Sequence, residues 1–370
     1  MSLDDQKTFF WKVDAICPDP EIIRQAGLIL RRGGLVAFPT ETVYGLGANA
    51  LDVSAVERIF TAKGRPQDNP LIVHVSGIAP VYEYTFAIPQ KARLLMEKFW
   101  PGPLTLILRG NGRIPGMVSG GLPDVAFRMP DHAVALALIQ EAGVPVAAPS
   151  ANLSGRPSTT TAGHVLADMD GRIEAILDGG ASGMGVESTV LDMTGDIPVV
   201  LRPGGITPSQ IRTVTGAVTL DKTLLDNVAT PTRPRSPGMK YRHYAPSAPL
   251  VLVEGSPDMI VREIIKLAGY YAHMGKKVGI LCRDGHQDHY PYLTIVAGGE
   301  DPASVAVLLF SALRLFEGTG VDIILAEGVE ARGMGLAVAN RLRRAAGGNV
   351  IKAGQNPVIP TFSNIEYRKE

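Results

Sequence analysis

The sequence predicts an α/β protein built as two domains in series. Three observations carry that prediction. The chain has 370 residues, more than one hydrophobic core usually organises. Short apolar runs of strand character alternate with amphipathic segments of helical length in both halves. Between them, residues 216–247 are rich in proline and basic residues, a composition that forbids continuous helix or central strand.

In the first domain, residues 1–215, Pro20 suits the first turn of a helix that stops at Gly33-Gly34. A strand follows at 35–38, then a helix near 52–62 and a strand at 71–75. Residues 90–99 read as helix and 104–108 as strand. Further strands are expected at 125–129, 144–148, 187–193 and 199–202, with helices at 132–142 and 160–169 between them. The expected result is a mixed, twisted sheet whose strand order the periodicity leaves open. Beyond the linker, strands at 250–254, 278–282, 293–297 and 323–327 alternate with helices at 259–272, 302–316 and 336–346. That is the pattern of a small Rossmann-like domain, residues 248–347. No G-x-G-x-x-G follows its first strand, so no dinucleotide site is expected there. Residues 348–370 read as an irregular tail.

Hydrophobic residues make up 45% and charged residues 19%, a globular balance rather than a disordered one. Lys+Arg and Asp+Glu are both 36, so holding long nucleic acid by bulk electrostatics is disfavoured. Stable general RNA binding loses weight accordingly, while a local basic groove stays open. The two cysteines, Cys17 and Cys282, form no CxxC or zinc spacing. A reducing compartment and no protein metal site follow. The opening MSLDDQKTFFWKVD has no basic region ahead of an apolar core, and no apolar run reaches membrane length. The expected setting is cytoplasmic, away from any membrane.

Four segments gather small polar and basic residues at expected strand ends, where open α/β sheets bind ligands. In Pro39-Thr40-Glu41-Thr42-Val43-Tyr44-Gly45-Leu46-Gly47, hydroxyls and glycines follow a strand; an ordinary turn with Thr40 or Thr42 as an N-cap fits equally. Lys63-Gly64-Arg65 opens a loop stiffened by Pro66 and Pro70, and such a pair can converge on one polyanion. His74 stands just behind that loop, as a core histidine or a functional one. Ser150-Ala151-Asn152 offers neutral donors, while the run through Ser158 and the threonines after it suits an N-cap. Arg128, Glu187-Ser188-Thr189 and Leu201-Arg202-Pro203-Gly204 form the fourth group. Its two arginines suit a carboxylate and a phosphate.

Taken in order, PTETVYGLG, KGRPQDNPL, WPGPLT, SANLSG, ESTV and LRPG closely resemble the YrdC-like threonylcarbamoyl-AMP synthase family over residues 15–212. SPGMKYRHYAP and GMGLAVANRLRRAA resemble the linker and extra domain of its long, two-domain form. The resemblance implies an α/β-twist fold for the first domain. It implies ATP, L-threonine and bicarbonate as reactants, with Mg²⁺ accompanying ATP. It places Arg65, Asn69, Ser150, Ser158, Arg202 and Tyr241 against ATP, and Thr42, His74, Arg128 and Ser188 around threonine. Lys63, Arg65, Ser150 and Asn152 become the catalytic signature, with Lys63 and Asn152 completing a phosphate cradle. At Asp124 the sequence departs from the many relatives that carry threonine.

The implied activity is synthesis of threonylcarbamoyl-adenylate with release of pyrophosphate, consumed by downstream threonylcarbamoyl-transferase proteins that modify tRNA. Threonine's amine captures the bicarbonate carbon, and the resulting N-carboxylate attacks the α-phosphorus. Both partners in that attack are anionic, so charge neutralisation and in-line positioning are the main tasks. No Ser-His-Asp or Cys-His set is evident. A carbamoyl-transfer domain and a double-stranded-RNA-binding module are the alternatives. The linker's Arg, Lys and Tyr residues over 233–244 suggest a lid over the nucleotide.

Overall fold

The computed structural model describes residues 7–225, 234–236, 243–296, 298–299 and 301–355. Tyr241 and most of the expected lid lie outside them. The chain divides into two compact units near residue 241, with residues 155–157 belonging to the second. Among the described residues no helix is long and apolar enough to cross a membrane.

The first unit runs β1 (Phe9–Lys12), α1 (Pro20–Arg31), β2 (Val36–Phe38), β3 (Gly45–Asn49), α2 (Val53–Lys63), β4 (Ile72–His74), α3 (Ala79–Tyr84), α4 (Gln90–Phe99), β5 (Leu104–Arg109) and β6 (Asp124–Arg128). It continues with α5 (Ala133–Ala142), β7 (Val146–Ala147), α6 (Ala162–Met169), β8 (Ala175–Asp178), β9 (Thr189–Asp192), β10 (Val199–Arg202), α7 (Pro208–Thr215), β11 (Thr219–Leu220) and α8 (Lys222–Leu225). The strands form one mixed sheet in the order β1-β8-β2-β3-β7-β4-β6-β5-β9-β10-β11. Because β11 belongs to this sheet, the linker begins later than residue 216.

Local chemistry explains the helix ends. Asp19 caps α1 through the Glu21 amide, with Pro20 in the first turn. Asp52 caps α2 through the amides of Ser54 and Ala55, and Gly64 stops it in a left-handed conformation at φ 60°. Lys63 is therefore the last helical residue, and Arg65 leaves in a new direction. The capping box of Thr207 and Gln210 at α7 was a readable signal for a helix that hydrophobic spacing alone had not suggested.

Residues 45–49 correct the expectation of a glycine loop after Pro39. They form β3, antiparallel to β2. A Cβ on Gly47 would stand 2.9 Å from both Phe38 Cε1 and Val146 Cγ1, so its glycine serves close packing inside the sheet.

The largest apolar cluster fills one face of this sheet and includes Val56, Leu95, Val165 and Ile211 from four helices. On the opposite face, α1 and α5 cover only the β8-β2-β3-β7 portion, through residues such as Leu30, Leu138, Val36 and Leu177. Further along, that face carries a small apolar patch of Ile72, Ile107, Ala126, Val190 and Leu201. Strand alternation puts His74 beside Ile72 and Arg128 beside Ala126 on this same face. The polar residues of interest therefore stand on a strand surface that α1 and α5 do not reach.

The second unit has a five-stranded sheet in the order β14-β13-β15-β12-β16. Its elements are β12 (Leu250–Glu254), α9 (Pro257–His273), β13 (Val278–Cys282), β14 (Leu293–Val296), α10 (Pro302–Leu315), β15 (Ile323–Glu327), α11 (Gly335–Ala346) and β16 (Val350–Lys352). Every neighbouring pair is parallel, as expected of a Rossmann-like unit. The tail needs correction at its start: residues 350–352 are an edge strand pairing with β12. Three residues behind Gly347-Gly348 carry too little periodicity to be recognised. At the end of β15, Glu327 is buried and accepts hydrogen bonds from Tyr290 Oη at 2.6 Å and Arg283 N at 3.2 Å. His286 Nδ1 lies 2.9 Å from the same carboxylate.

Candidate active site

The loop between β2 and β3 is the hub. Thr40 Oγ1 lies 2.8 Å from Thr42 Oγ1 and donates to the Val43 carbonyl at 2.6 Å. Backbone bonds then tie the loop to three others. Tyr44 N donates to Thr159 O at 2.8 Å, Ala151 N to Tyr44 O at 2.8 Å, and Gly185 N to Thr42 O at 3.1 Å. The Ser150, Ser158 and Ser188 segments, far apart in sequence, thus meet around Thr42–Tyr44.

Lys63 and the Ser150–Asn152 segment form one structure. Lys63 is only 2% exposed; its Nζ donates to the Ser150 carbonyl at 2.6 Å and also to the Asn152 carbonyl. Ser150 Oγ donates to Asn152 Oδ1 at 2.5 Å. The ammonium therefore organises the backbone that presents the Ser and Asn side chains. Arg65 Nη2 reaches the Pro70 carbonyl at 3.2 Å. Asn69 is buried, and neither its amide nitrogen nor its amide oxygen has a hydrogen-bond partner. Such a group is costly in a finished interior.

Arg128 and His74 are register partners across β6 and β4. His74 is buried, and its Nδ1 lies 3.2 Å from the Ile72 carbonyl oxygen. Burial, aided by the Arg128 charge, pushes the imidazole down to about 3. His74 is thus neutral near pH 7. It is expected to weaken the folded state as pH falls from about 6.5 toward 3, because the unfolded chain binds the proton that the folded chain refuses. Above that window its contribution is flat. An NMR titration finding a His74 midpoint near its ordinary value would contradict this environment.

Arg128 is 4% exposed and donates from Nε to the Gly102 carbonyl at 3.4 Å. Its Nη2 lies 2.7 Å from Glu41 Oε2, an ion-pair distance without hydrogen-bond direction. Ser188 and Arg202 are joined directly, since Arg202 Nη2 donates to Ser188 Oγ at 3.1 Å and Nε to Ser188 O at 3.1 Å. Thr105 Oγ1 completes the group at 2.7 Å from Ser188 Oγ. A register shift between Val200 and Arg202 turns Arg202 toward Ser188. Gly204 permits this approach: a Cβ there would fall 2.3 Å from Thr189 N. Ser158 Oγ donates to Glu187 Oε1 at 2.6 Å within the same buried region.

A family model described as "Telomere recombination" matches residues 28–204, and one described as "Threonylcarbamoyl-AMP synthase, C-terminal domain" matches residues 206–347. The chain is 51% identical over 353 residues to the threonylcarbamoyl-AMP synthase of Bacillus subtilis (strain 168), covering 94% of this chain and 100% of that one. The chain belongs to the threonylcarbamoyl-AMP synthase family. The family member of Pyrococcus abyssi (strain GE5 / Orsay) is 50% identical over 331 residues, covering 89% of this chain and 95% of its own. The crystal structure of P. abyssi Sua5 complexed with L-threonine superposes with a TM-score of 0.89 at 48% identity, covering 94% of this chain and 100% of that one.

Within this family member, residues expected at the site fall into three groups. Thr42 accepts from Gly185, three residues before Ser188, while His74 and Arg128 share the β4–β6 register. Lys63, Ser150 and Asn152 interlock, with Arg65 and Asn69 two and six residues beyond Lys63. Sequence reasoning assigned no role to Glu41, Thr105 or His132; Glu41 lay inside PTETVYGLG, the signal by which it was accessible. Asp124 starts β6 and pairs with Arg109 at 3.2 Å. It lines a small cavity with Ser119, Leu122 and Arg235, and Arg235 in turn pairs with Asp192. Burial raises the Asp124 carboxyl against the opposing pull of Arg109.

Proposed function

We propose that the first unit makes threonylcarbamoyl-adenylate from ATP, L-threonine and bicarbonate, releasing pyrophosphate. The observation that carries the reading is the buried Arg128 guanidinium, whose Nη2 has no hydrogen-bond partner, on a strand face shared with neutral His74. That pairing suits an amino-acid carboxylate, and a relative at 48% identity has been crystallised with L-threonine. Arg128, Thr42, His74 and Ser188 would hold threonine, with Arg128 as the fork for its carboxylate. Arg65, Asn69, Ser150, Ser158 and Arg202 would hold ATP, and Tyr241 of the linker remains assigned to ATP by resemblance.

Carbamoylation joins the threonine nitrogen to the bicarbonate carbon with loss of water. The new N-carboxylate then displaces pyrophosphate from the α-phosphorus. Two anions approach in that step, so fixed donors contribute chiefly by neutralising charge without reorganising. Lys63 acts by fixing the Ser150–Asn152 backbone; Arg65 and Arg202 supply cationic contacts. Among the described residues no group of three or more His, Cys, Asp or Glu converges as metal ligands. Mg²⁺ would arrive on the nucleotide phosphates, as it commonly does, and neutralise their charge.

We assign the setting to the cytoplasm, with threonylcarbamoyl-transferase proteins as consumers and only transient tRNA contact. The test is pyrophosphate release and acyl-adenylate formation by the full chain. Both are expected to require ATP, threonine and bicarbonate together. Pyrophosphate release that ignores threonine or bicarbonate would overturn the assignment.

A further inference from the structure

The Glu41 carboxylate stands out among the charged groups of the first unit. Its side chain is 16% exposed, yet both oxygens are buried and neither makes a hydrogen bond. The backbone is pinned, because Met184 N donates to Glu41 O at 2.8 Å. A buried carboxylate is normally tolerated only when ion pairing and hydrogen bonds together offset its desolvation. Here only half of that compensation is present, as the 2.7 Å contact with Arg128 Nη2. His132 provides little more. Burial keeps its imidazole neutral against the pull of Glu41 and Asp131, and its Nδ1 is buried without a hydrogen-bond partner.

An α-amino acid carries its own pair of opposite charges, separated by one carbon. Arg128 and Glu41 offer the complementary pair at contact distance. When Arg128 turns to a substrate carboxylate, Glu41 loses its partner, and the substrate ammonium is the cation nearest to replace it. We propose that Glu41 is the receptor for the α-ammonium of threonine, so that Arg128 and Glu41 together select a zwitterion. This rests on the proposed threonine site at Arg128. The ion pair between the two residues then holds the site in shape until substrate exchanges with it. Glu41 would supply a selectivity that Arg128 cannot, since any small carboxylate would satisfy a lone guanidinium.

Titration calorimetry of the full chain with L-threonine and with (R)-3-hydroxybutyrate, which is threonine without its amine, tests the idea. Wild-type protein is expected to bind threonine at least about tenfold more tightly, the usual order for one charge-assisted contact. In Glu41→Gln that gap should collapse: threonine weakens by about tenfold while the hydroxy acid holds or tightens, because Arg128 is released. Glu41→Asp, which keeps the charge, should retain most of the gap and serves if the glutamine variant folds poorly. A full gap in folded Glu41→Gln, or a collapsed gap in folded Glu41→Asp, would overturn the role of Glu41. Failure of threonine to bind wild-type protein would instead overturn the proposed threonine site itself.

Discussion

Replacing Lys63 with methionine is expected to lower adenylate synthesis by about a hundredfold or more, the scale reached when reacting groups are misplaced by an ångström. The stem of Lys63 is buried, and methionine preserves much of that packing. What it removes is the ammonium that donates to the carbonyls of Ser150 and Asn152. Hydrogen bonds to a charged group contribute about 1.5–3 kcal/mol each, so urea unfolding should report a moderate loss of stability with the cooperative transition intact. Lys63→Arg should rescue poorly, because a planar fork cannot replace a compact ammonium between two carbonyls. Steady-state rates near wild type in Lys63→Met would show that the Ser150–Asn152 segment keeps its shape unaided.

Arg128→Ala is expected to weaken threonine by about a hundredfold or more while changing ATP affinity by less than about threefold, since a charge-assisted fork is lost from one ligand only. Stability should fall as well, by about 3 kcal/mol, because Glu41 is left as a buried carboxylate without its cation. Adding Glu41→Gln should restore stability without restoring threonine binding. Calorimetry with each ligand separately, together with denaturant unfolding, separates these effects. Equal losses for ATP and threonine would mean that Arg128 supports the whole site. Unchanged stability in the single variant would mean that Glu41 finds another partner.

Much of this architecture was legible because its signals are local. Asp52 and Gly64 mark the ends of α2 through side-chain capping and a left-handed backbone, which depend on a few neighbouring residues. The central parallel strands β12, β13 and β15 of the second unit are nearly continuous apolar runs, as burial on both faces requires. Residues 45–49 were less legible: glycine usually signals a turn, and only contact with Phe38 and Val146 reveals a strand that needs small residues. At β16 the strand was too short to show alternation, and its pairing with β12 is non-local.

The sequence by itself determined the α/β class, the two-unit order and the identity of the polar segments, because patterning, caps and residue chemistry are properties of short stretches of chain. Only the tertiary structure decided what those residues do to one another. It turned Lys63 inward onto two backbone carbonyls, and a register shift brought Arg202 onto Ser188. It also set Glu41 against Arg128 across 87 positions of sequence. The Arg202 contact depends on strand register, where a shift of one residue reverses the face a side chain occupies, and the other two on charged and polar groups meeting across the fold.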